Sequence, residues 1–294
     1  MSWQKIALLG VGLLGGSLGL AIQQRRLAKR VEGCVRRLES VAECQGLGIV
    51  DHATLDLSEA VRDADLVILC TPLAQMRGLV ERALPALQPG AIVTDVGSVK
   101  GVVIKDLEPL VAKAGAHFVG SHPMAGAEKM GAGAARADLF HNAVCILTPT
   151  ANTEGDALQR VDDFWRQLGS RTLHLSPDKH DEYVARCSHL PHVIAATLAN
   201  LVLGPSSAKE LASLCATGFR DTTRIASGSP EMWRDIALAN HENLAEALAR
   251  FQDELRILQR AVESQDAKAL DAFLSAAKQR RDQWGAQNAS LSPE

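Results

Sequence analysis

The sequence has few aromatic residues and almost no excess charge of either sign. Aromatic side chains make up 4% of its 294 residues, and the formal net charge at pH 7 is −3. Proteins that bind nucleic acids present a basic surface, and those that bind single strands also stack bases on aromatic rings. The composition therefore argues against a nucleic-acid-binding protein, whereas the 47% of hydrophobic residues suffices for sizeable cores.

Cysteine is present, but never in the Cys-x-x-Cys spacing that is typical of metal or redox sites. Most of the six cysteines lie among apolar residues, and they stand at positions 34, 44, 70, 145, 187 and 215. Isolated cysteines in apolar surroundings indicate reduced, buried thiols. We therefore expect a cytoplasmic protein.

The sequence lacks an uninterrupted apolar segment of membrane-spanning length. Its longest apolar run, residues 6–22, falls short of the roughly 20 residues of a typical span. The run also contains five glycines, at positions 10, 12, 15, 16 and 19, which weaken an isolated helix. A signal peptide or membrane helix is the alternative, but we predict no membrane association.

The glycines fit a strand, loop and helix better. Residues 5–9 read as a buried strand and residues 17–26 as a helix, with G-x-G-x-x-G between them. In this order the first glycine permits a tight turn, the second lets a pyrophosphate approach the backbone, and the third lets helix and strand pack closely. We therefore predict a dinucleotide cofactor, held at the helix N-terminus by Gly10, Val11, Gly12, Leu13, Leu14 and Gly15.

The end of the second predicted strand, residues 31–35, indicates which dinucleotide is preferred. An acidic residue about twenty positions beyond the glycines would bind the ribose 2′-hydroxyl of NAD, but the chain has Arg36 and Arg37 there. Two guanidinium groups suit the 2′-phosphate of NADP. We predict NADP as the preferred cofactor and NAD as a possible one; the alternative is a solvated basic turn, with Glu39 binding the ribose of NAD.

Strands and helices alternate through the first 175 residues. Further strands are predicted at 65–70, 91–96, 117–119, 143–147 and 172–175, with helices such as 76–87 and 102–114 between them. This order predicts an α/β fold with a Rossmann-type, doubly wound, mostly parallel sheet.

Polar residues follow three of these strands. Ligands of such sheets bind beyond the carboxyl ends of the strands, so we expect Thr71, Ser98 and His122 to share one crevice with the glycine loop. A lone histidine at a strand end is more often a packed or solvated residue than a catalyst. The role of His122 therefore depends on what surrounds it.

The remainder of the sequence reads as helical, so we predict two domains, a dinucleotide-binding domain at 1–175 and a helical domain at 176–294. Apolar residues spaced by three and four stand in the second domain at 244, 248, 251, 255, 258 and 262. Such a stripe favours packing between helices. We expect a homodimer through the C-terminal helices, with burial of the stripe inside one chain as the alternative.

A cluster of polar residues, Ser-His-Leu-Pro-His at 188–192, lies in the helical half. Ser188 and His192 are four apart and face the same side of a helix, and Pro191 is expected to kink it. His189 and His192 lack a third ligand at a zinc-binding spacing, so no metal site is predicted. A pair of helix-surface histidines is the alternative.

A second polar cluster is centred on Asp221 and Arg224. The two residues are three apart and can pair on one helical face. An arginine held by an aspartate presents a planar clamp for a carboxylate. An ordinary surface ion pair is the alternative.

Five motifs, taken in order, resemble those of the prephenate/arogenate dehydrogenase family of tyrosine biosynthesis. They are the glycine loop, D-V-G-S-V-K at 95–100, S-H-P-M-A-G at 121–126, S-H-L-P-H at 188–192, and D-T-T-R at 221–224 with Met-Trp at 232–233. The resemblance covers nearly the whole chain. It implies oxidative decarboxylation of prephenate or arogenate, in which hydride passes to the nicotinamide, CO2 departs and the ring becomes aromatic.

The resemblance also implies roles for individual residues. His122 would accept the proton of the ring hydroxyl, which suits imidazole because its ordinary pKa lies near neutrality. Ser98 would orient His122 and touch the nicotinamide, and Arg224, held by Asp221, would bind the ring carboxylate. The other implied residues are His192 as a catalytic residue at the side-chain end of the substrate, Ser188, His189, Glu128 and Trp233 as substrate contacts, and Thr71, Pro72, Ser98 and Met124 as cofactor contacts.

Two other functions compete with this interpretation. A β-hydroxyacid dehydrogenase of the 3-hydroxyisobutyrate type has similar halves but uses a catalytic lysine near the domain junction, where this chain offers only Lys179 without the expected surroundings. A non-catalytic dinucleotide-sensing protein would keep the glycine loop but would not need His122, Ser98 and Arg224 together.

Overall fold

The computed structural model describes residues 3–126, 129–204 and 209–289. Its strands are β1 (Trp3–Leu9), β2 (Ala28–Cys34), β3 (His52–Thr54), β4 (Leu66–Leu69), β5 (Ile92–Asp95), β6 (His117–Pro123), β7 (Val144–Thr148) and β8 (Arg171–His174). Its helices are α1 (Leu13–Arg25), α2 (Leu38–Gly46), α3 (Leu57–Val61), α4 (Leu73–Ala83), α5 (Gly101–Lys113), α6 (Gly155–Gln167), α7 (Pro177–Val184), α8 (Leu190–Leu203), α9 (Lys209–Ser213), α10 (Thr217–Thr223), α11 (Pro230–Ala239), α12 (His241–Glu263) and α13 (Ala267–Ala289).

The strands form one sheet in the order β3-β2-β1-β4-β5-β6-β7-β8. Neighbouring strands are parallel, except that β7 runs antiparallel to β6. The strand order reverses between β1 and β4, and ligands of doubly wound sheets bind in the crevice at such a switch point. The predicted Rossmann-type fold is confirmed, and the glycine loop that follows β1 lies at the switch point.

The predicted strands recur, with two informative differences. Strand β6 continues through Pro123, four residues past the predicted end, because its second half pairs with β7, Gly120 opposite Thr148 and His122 opposite Ile146. His122 is therefore held in a strand rather than in a loop. Strand β3 was not predicted, since its three residues are too few to show a pattern.

The sheet separates two hydrophobic cores. Side chains of β1 alternate between them: Ile6 and Leu8 join one core, and Ala7 and Leu9 join the other. This alternation is the period-two pattern of a strand that is buried on both faces. It explains why β1 reads as a continuous apolar run.

By its internal contacts the chain divides into two compact units, one ending at Asn240 and the other beginning at His241. The second unit consists of α12 and α13. In the predicted stripe of α12, Leu244 is buried, whereas Leu255 and Val262 keep 47% and 57% of their surface exposed. The predicted boundary at 175/176 follows the change from sheet to helices and stays a prediction.

Candidate active site

The glycine loop joins β1 to α1, and two of its glycines are required by close packing. Gly10 adopts a positive φ of 96°, and its N–H donates to the carbonyl of Cys34 at the end of β2 over 3.0 Å. A Cβ on Gly15 would overlap the carbonyl oxygen of Gly10. At Gly12, by contrast, a Cβ would meet no heavy atom within 4 Å, so the backbone is open to a pyrophosphate at the start of α1.

The remaining glycines of the apolar run also have structural reasons. A Cβ on Gly16 would lie 2.9 Å from the Cβ of Ala135, and one on Gly19 would overlap the backbone of Ile49. The run is therefore a strand and a helix that packs at close range. Across the described residues, no helix is both long and apolar enough to span a membrane.

Arg36 and Arg37 follow β2 directly, and both side chains are exposed. Arg37 occupies the N-cap position of α2. Within the described ranges neither guanidinium has a hydrogen bond or an ion pair with the protein. Glu39, in the first turn of α2, is exposed as well. Both the NADP and the NAD interpretation therefore have their residues at this end of the sheet.

The other acidic residue of this region is engaged within the protein. Glu32 is fully buried in β2, where its carboxylate lies 3.2 Å from Lys5, 2.9 Å from Arg30 and 2.5 Å from His52. Glu59 brings a further carboxylate close enough that Glu32, His52 and Glu59 have the arrangement of potential metal ligands. The two cations beside Glu32 already balance its charge, so this cluster is explained as an ion-pair network.

Thr71 connects the end of β4 to the glycine loop. A Cβ on Gly10 would lie 2.9 Å from the Cγ2 of Thr71, so these two residues are in contact distance. The Thr71 hydroxyl is buried and has no hydrogen-bond partner among the described residues. Pro72 follows as the N-cap residue of α4. An unsatisfied buried hydroxyl beside an open glycine loop fits a bound dinucleotide, because buried polar groups normally have a partner.

His122 lies in β6 and is bonded to a second histidine. Its Nδ1 is 2.8 Å from Nε2 of His180, a residue of α7 that is completely buried. Burial holds the pKa of His122 well below its ordinary value, and the neighbouring His180 and Lys100 lower it further. His122 is therefore neutral at pH 7 and able to accept a proton.

Asp181 is hydrogen-bonded to the second histidine of this pair. Its Oδ1 lies 2.7 Å from Nδ1 of His180. The same carboxylate accepts the backbone N–H groups of Lys100 and Gly101, each over 2.8 Å, at the beginning of α5. Carboxylates are stabilised at helix N-termini. Asp181 thus ties α7 to α5.

A buried lysine holds β5 and β6 together beside the site. The ammonium of Lys100 pairs with Asp95, and both side chains are completely buried. The same ammonium donates to the carbonyl of Ser121 over 2.8 Å. Asp95 accepts the N–H of Gly97 at 2.8 Å and that of Ser121 at 3.2 Å. These bonds fix the D-V-G-S-V-K segment and, through Ser121, the residue before His122.

Ser98 lies within this fixed segment and is partly exposed at the carboxyl edge of the sheet. The family resemblance implies that Ser98 orients His122, but the hydrogen bond that the structure gives the His122 ring is with His180. His180 was not identified from the sequence, and the role of Ser98 stays a prediction. His180 and Asp181 lie in the middle of a short polar helix, α7, and the sequence gives no sign that they are buried.

The Ser-His-Leu-Pro-His segment begins in a wide, π-helical turn, Ala185–His189, and continues directly into α8. Pro191, the second residue of α8, follows this turn, whose wider hydrogen-bond pattern accommodates a residue without an N–H. Ser188 is partly exposed, whereas His189 and His192 are buried. The alternative of two helix-surface histidines is therefore wrong. Single π-helical turns often occur at functional sites.

Both buried histidines pack on Trp233 of α11. His192 stacks on the indole with ring centroids 3.5 Å apart, and His189 meets it edge-on at 6.1 Å. Asn240 donates to the carbonyl of Asp181 over 2.8 Å and approaches Nδ1 of His189 at 3.3 Å. Burial lowers the pKa of His189 to about 4, against the opposing effect of Asp181.

The predicted carboxylate clamp lies at the end of α10, which contains Asp221, and at the beginning of the turn that follows. Arg224 begins a single 3-10 turn, Arg224–Ser227, which packs against α8. Asp221 is exposed, and the ion pair that the structure gives it is with Arg220, at 3.8 Å. The pairing of Asp221 with Arg224 stays a prediction. Gly228, after the turn, lies so close to His192 and Trp233 that a Cβ there would be 3.1 Å and 2.7 Å away, respectively.

Two predicted contacts remain. Met124 follows β6, and its N–H donates to the carbonyl of Val144 over 2.7 Å, which places it just beyond His122 at the carboxyl edge. Glu128 lies outside the described residues.

The lysine required by the β-hydroxyacid alternative has no counterpart at Lys179, which is half exposed and pairs with Glu182 at 2.8 Å.

Together, a phosphate-binding glycine loop at the switch point of a Rossmann-type sheet and a neutral buried histidine define a nicotinamide-dependent oxidoreductase. The family described as prephenate dehydrogenase, nucleotide-binding domain, matches residues 18–174. The family described as prephenate dehydrogenase, dimerization domain, matches residues 176–276. The chain therefore belongs to the prephenate dehydrogenase family, and it is an NAD(P)-dependent dehydrogenase.

Individual relatives agree with this family. The chain is 36% identical to a prephenate dehydrogenase of Bacillus subtilis over 94% of its own length and 75% of that protein's. It is 38% identical to a cyclohexadienyl dehydrogenase of Zymomonas mobilis over 91% and 92% of the two chains. The crystal structure of prephenate dehydrogenase from A. aeolicus, in complex with hydroxyphenyl propionate and NAD+, superimposes with a TM-score of 0.90 at 33% identity, over 96% and 99% of the chains.

These matches confirm the predicted family, enzyme class and two-part architecture. The description of the second match as a dimerization domain also confirms the predicted homodimer through the C-terminal helices. Neither the 3-hydroxyisobutyrate type of dehydrogenase nor a non-catalytic sensor is supported by these relatives.

Proposed function

We propose that this chain catalyses the oxidative decarboxylation of prephenate, arogenate or both, with NADP as the preferred hydride acceptor. The relatives named above act, by their descriptions, on prephenate or on cyclohexadienyl substrates. The observation that carries the proposal is His122, a buried neutral base that stands at the carboxyl edge of the sheet, one strand away from Ser98.

His122 is proposed to accept the proton of the substrate's ring hydroxyl. When bound, the dinucleotide supplies a nicotinamide ring that accepts the hydride from the carbon bearing that hydroxyl. An imidazole whose pKa is depressed stays neutral, and so available as a base, even when the pH falls below the ordinary histidine pKa of about 6.5. Loss of the ring carboxylate as CO2 completes an aromatic ring, so the protein mainly needs to position the substrate and take one proton.

Arg224 is proposed to bind the ring carboxylate. Support comes from its turn, which packs on α8 near His192, and from the planar donor geometry of guanidinium, which matches a carboxylate. His192, stacked on Trp233, and His189 are proposed to meet the side-chain end of the substrate, together with Ser188. Glu128 is proposed to line the entrance.

The NADP preference is proposed from Arg36 and Arg37. Their exposed guanidinium groups follow the strand that ends beside the glycine loop, where the 2′-phosphate of a bound dinucleotide would lie. Gly12 and the unsatisfied hydroxyl of Thr71 support the binding of the pyrophosphate end. Ser98, Pro72 and Met124 are proposed to contact the nicotinamide half from the same edge.

The roles of the two domains and the cellular location are part of the same proposal. Residues 1–175 are proposed to hold the dinucleotide, and residues 176–294 to supply substrate contacts and the dimer. All six cysteines carry free thiols in the structure, which suits a reducing compartment. The proposed location is therefore the cytoplasm.

The experiment combines both substrates, both cofactors and one variant. The purified enzyme is given prephenate or arogenate with NADP or NAD, and reduced cofactor is followed by absorbance. We expect turnover with NADP, and a fall of at least about a hundredfold in kcat for His122→Asn with cofactor affinity unchanged. Tight NADP binding without turnover of either substrate would refute the proposed reaction. Near-normal turnover of His122→Asn would refute the proposed base.

A further inference from the structure

The two nitrogens of the His122 ring are distinct, and only one of them is available to a substrate. Nδ1 lies 2.8 Å from Nε2 of His180, which leaves Nε2 of His122 as the nitrogen that can accept a proton. His180 is completely buried, whereas His122 retains 7% of its surface. His180 therefore acts through His122 rather than on a substrate directly.

The direction of the hydrogen bond between the two rings follows from Asp181. Its carboxylate already accepts two backbone N–H groups at the start of α5, from Lys100 and Gly101. Because each of its two oxygens accepts one of these N–H groups, the carboxylate is placed to accept, and not to donate, a hydrogen bond with His180. Nδ1 of His180, 2.7 Å from Oδ1 of Asp181, must therefore be the protonated nitrogen of that ring.

Burial keeps His180 neutral, since it lowers the pKa of this histidine despite the opposing carboxylate of Asp181. A neutral imidazole protonated at Nδ1 carries a lone pair at Nε2. The partner nitrogen, Nδ1 of His122, must then carry a hydrogen and donate it. The remaining nitrogen of His122 is left with its lone pair.

We propose that Asp181 and His180 are positioning residues that fix His122 in the tautomer protonated at Nδ1, with Nε2 as the free base. The carboxylate of Asp181 sets the tautomer of His180, and His180 in turn sets the tautomer of His122. This inference deepens the proposed function, because it rests on His122 being the base of that reaction.

Burial and the nearby cation oppose an additional proton on the pair, whereas Asp181 and Asp95 act in the opposite direction on His180. Lys100, the N-cap residue of α5, contributes a cation that lowers the pKa of both histidines. Asp95, on β5, balances this lysine directly, and His189, on the π-helical turn, also lowers the pKa of His122. The alternative arrangement, with a doubly protonated His180 donating to His122, is thereby disfavoured, and it would leave His122 with no nitrogen to accept a proton.

The direct test is the nitrogen NMR spectrum of the histidine rings in the folded enzyme at pH 7, with His122 assigned through His122→Asn. We expect a pyridine-type Nε2 and a pyrrole-type Nδ1 for His122, and the same pattern for His180. A pyrrole-type Nε2 in His122 would overturn the proposal. This readout does not depend on turnover, so it separates the tautomer from the reaction.

Two variants of His180 test the consequence for catalysis. His180→Phe fills the space but accepts no hydrogen bond, whereas His180→Gln can present a carbonyl oxygen to Nδ1 of His122. We expect His180→Phe to lower kcat by at least about tenfold at a KM within about twofold of wild type, and His180→Gln to recover most of the loss. His117→Phe, at the far end of β6, is the matched control and should leave kcat unchanged.

The outcomes separate the two proposals. If His122→Asn abolishes turnover while both His180 variants match the wild-type enzyme, the positioning role of His180 is refuted and His122 remains the proposed base. If His122→Asn retains turnover, the proposed function of His122 is refuted. If His180→Phe does not fold, the NMR spectrum of the wild-type enzyme still decides the tautomer.

Discussion

The two ends of the candidate site differ in how they are built. The dinucleotide end consists of a glycine loop and a basic turn, each continuous in sequence, in which Gly12 leaves open space and Arg36 and Arg37 are exposed. The histidine end is buried and drawn from separate segments, with His122 on β6, His180 on α7 and Trp233 on α11. The exposed arginines of the first end can change cofactor affinity without loss of fold, whereas the buried histidines of the second end join catalysis to stability.

The largest effect is expected at the buried ion pair of the histidine end. Lys100→Met leaves the carboxylate of Asp95 buried without a counter-ion, which costs about 3–5 kcal/mol of the free energy of unfolding. Lys105→Met, on the exposed side of the same helix, is the control and should change it little. Urea unfolding measures both, and equal stabilities would show that Lys100 does not support the site.

These two ends also differ in how far they can be predicted from sequence. Local spacing predicts the glycine loop, the doubly wound sheet and the C-terminal helices. The glycine loop is the clearest case, because one strand, one loop and one helix contain its whole pattern. His180 and Asp181 could not be identified, since they contribute by meeting β6 and the start of α5 across 58 and 81 residues of chain, respectively. Asp95 and Lys100 belong to the D-V-G-S-V-K motif, yet only the structure shows that they form a buried ion pair.

A single methyl group tests whether the dinucleotide end depends on close packing. In Gly15→Ala the added Cβ overlaps the carbonyl oxygen of Gly10, so α1 must move away from β1 at a cost of about 3 kcal/mol. Gly78→Ala, in α4, meets no atom within 4 Å and should be neutral or slightly stabilising. Stability and NADP affinity are measured together; unchanged values for Gly15→Ala would contradict the packing role of this glycine.

The buried histidines make stability depend on pH. His189 has a pKa of about 4 in the folded chain and about 6.5 when unfolded, so the unfolded chain binds more protons between these values. Its contribution is therefore constant above about pH 6.5 and is lost as the pH falls, by about 2 kcal/mol between pH 7 and pH 5. Urea unfolding across this range checks the slope. An identical slope in His189→Gln would assign the pH dependence to other groups.

The smallest effect is expected at the exposed basic turn. Replacing both Arg36 and Arg37 by alanine should weaken NADP by about tenfold or more and leave NAD nearly unchanged, because only NADP carries the 2′-phosphate. Arg171→Ala, on β8 at the opposite edge of the sheet, is the control. Fluorescence titration gives both dissociation constants, and a parallel loss for both cofactors would contradict a role specific to the phosphate.

The most direct measurement of the central claim is the pH dependence of single-turnover hydride transfer, with NADP and saturating substrate, in wild type and His122→Asn. If neutral His122 is the base, the wild-type rate falls as the pH drops through an ionisation below the ordinary histidine value of about 6.5, and this acid limb is absent from the much slower variant. An acid limb that persists unchanged in His122→Asn would contradict the account.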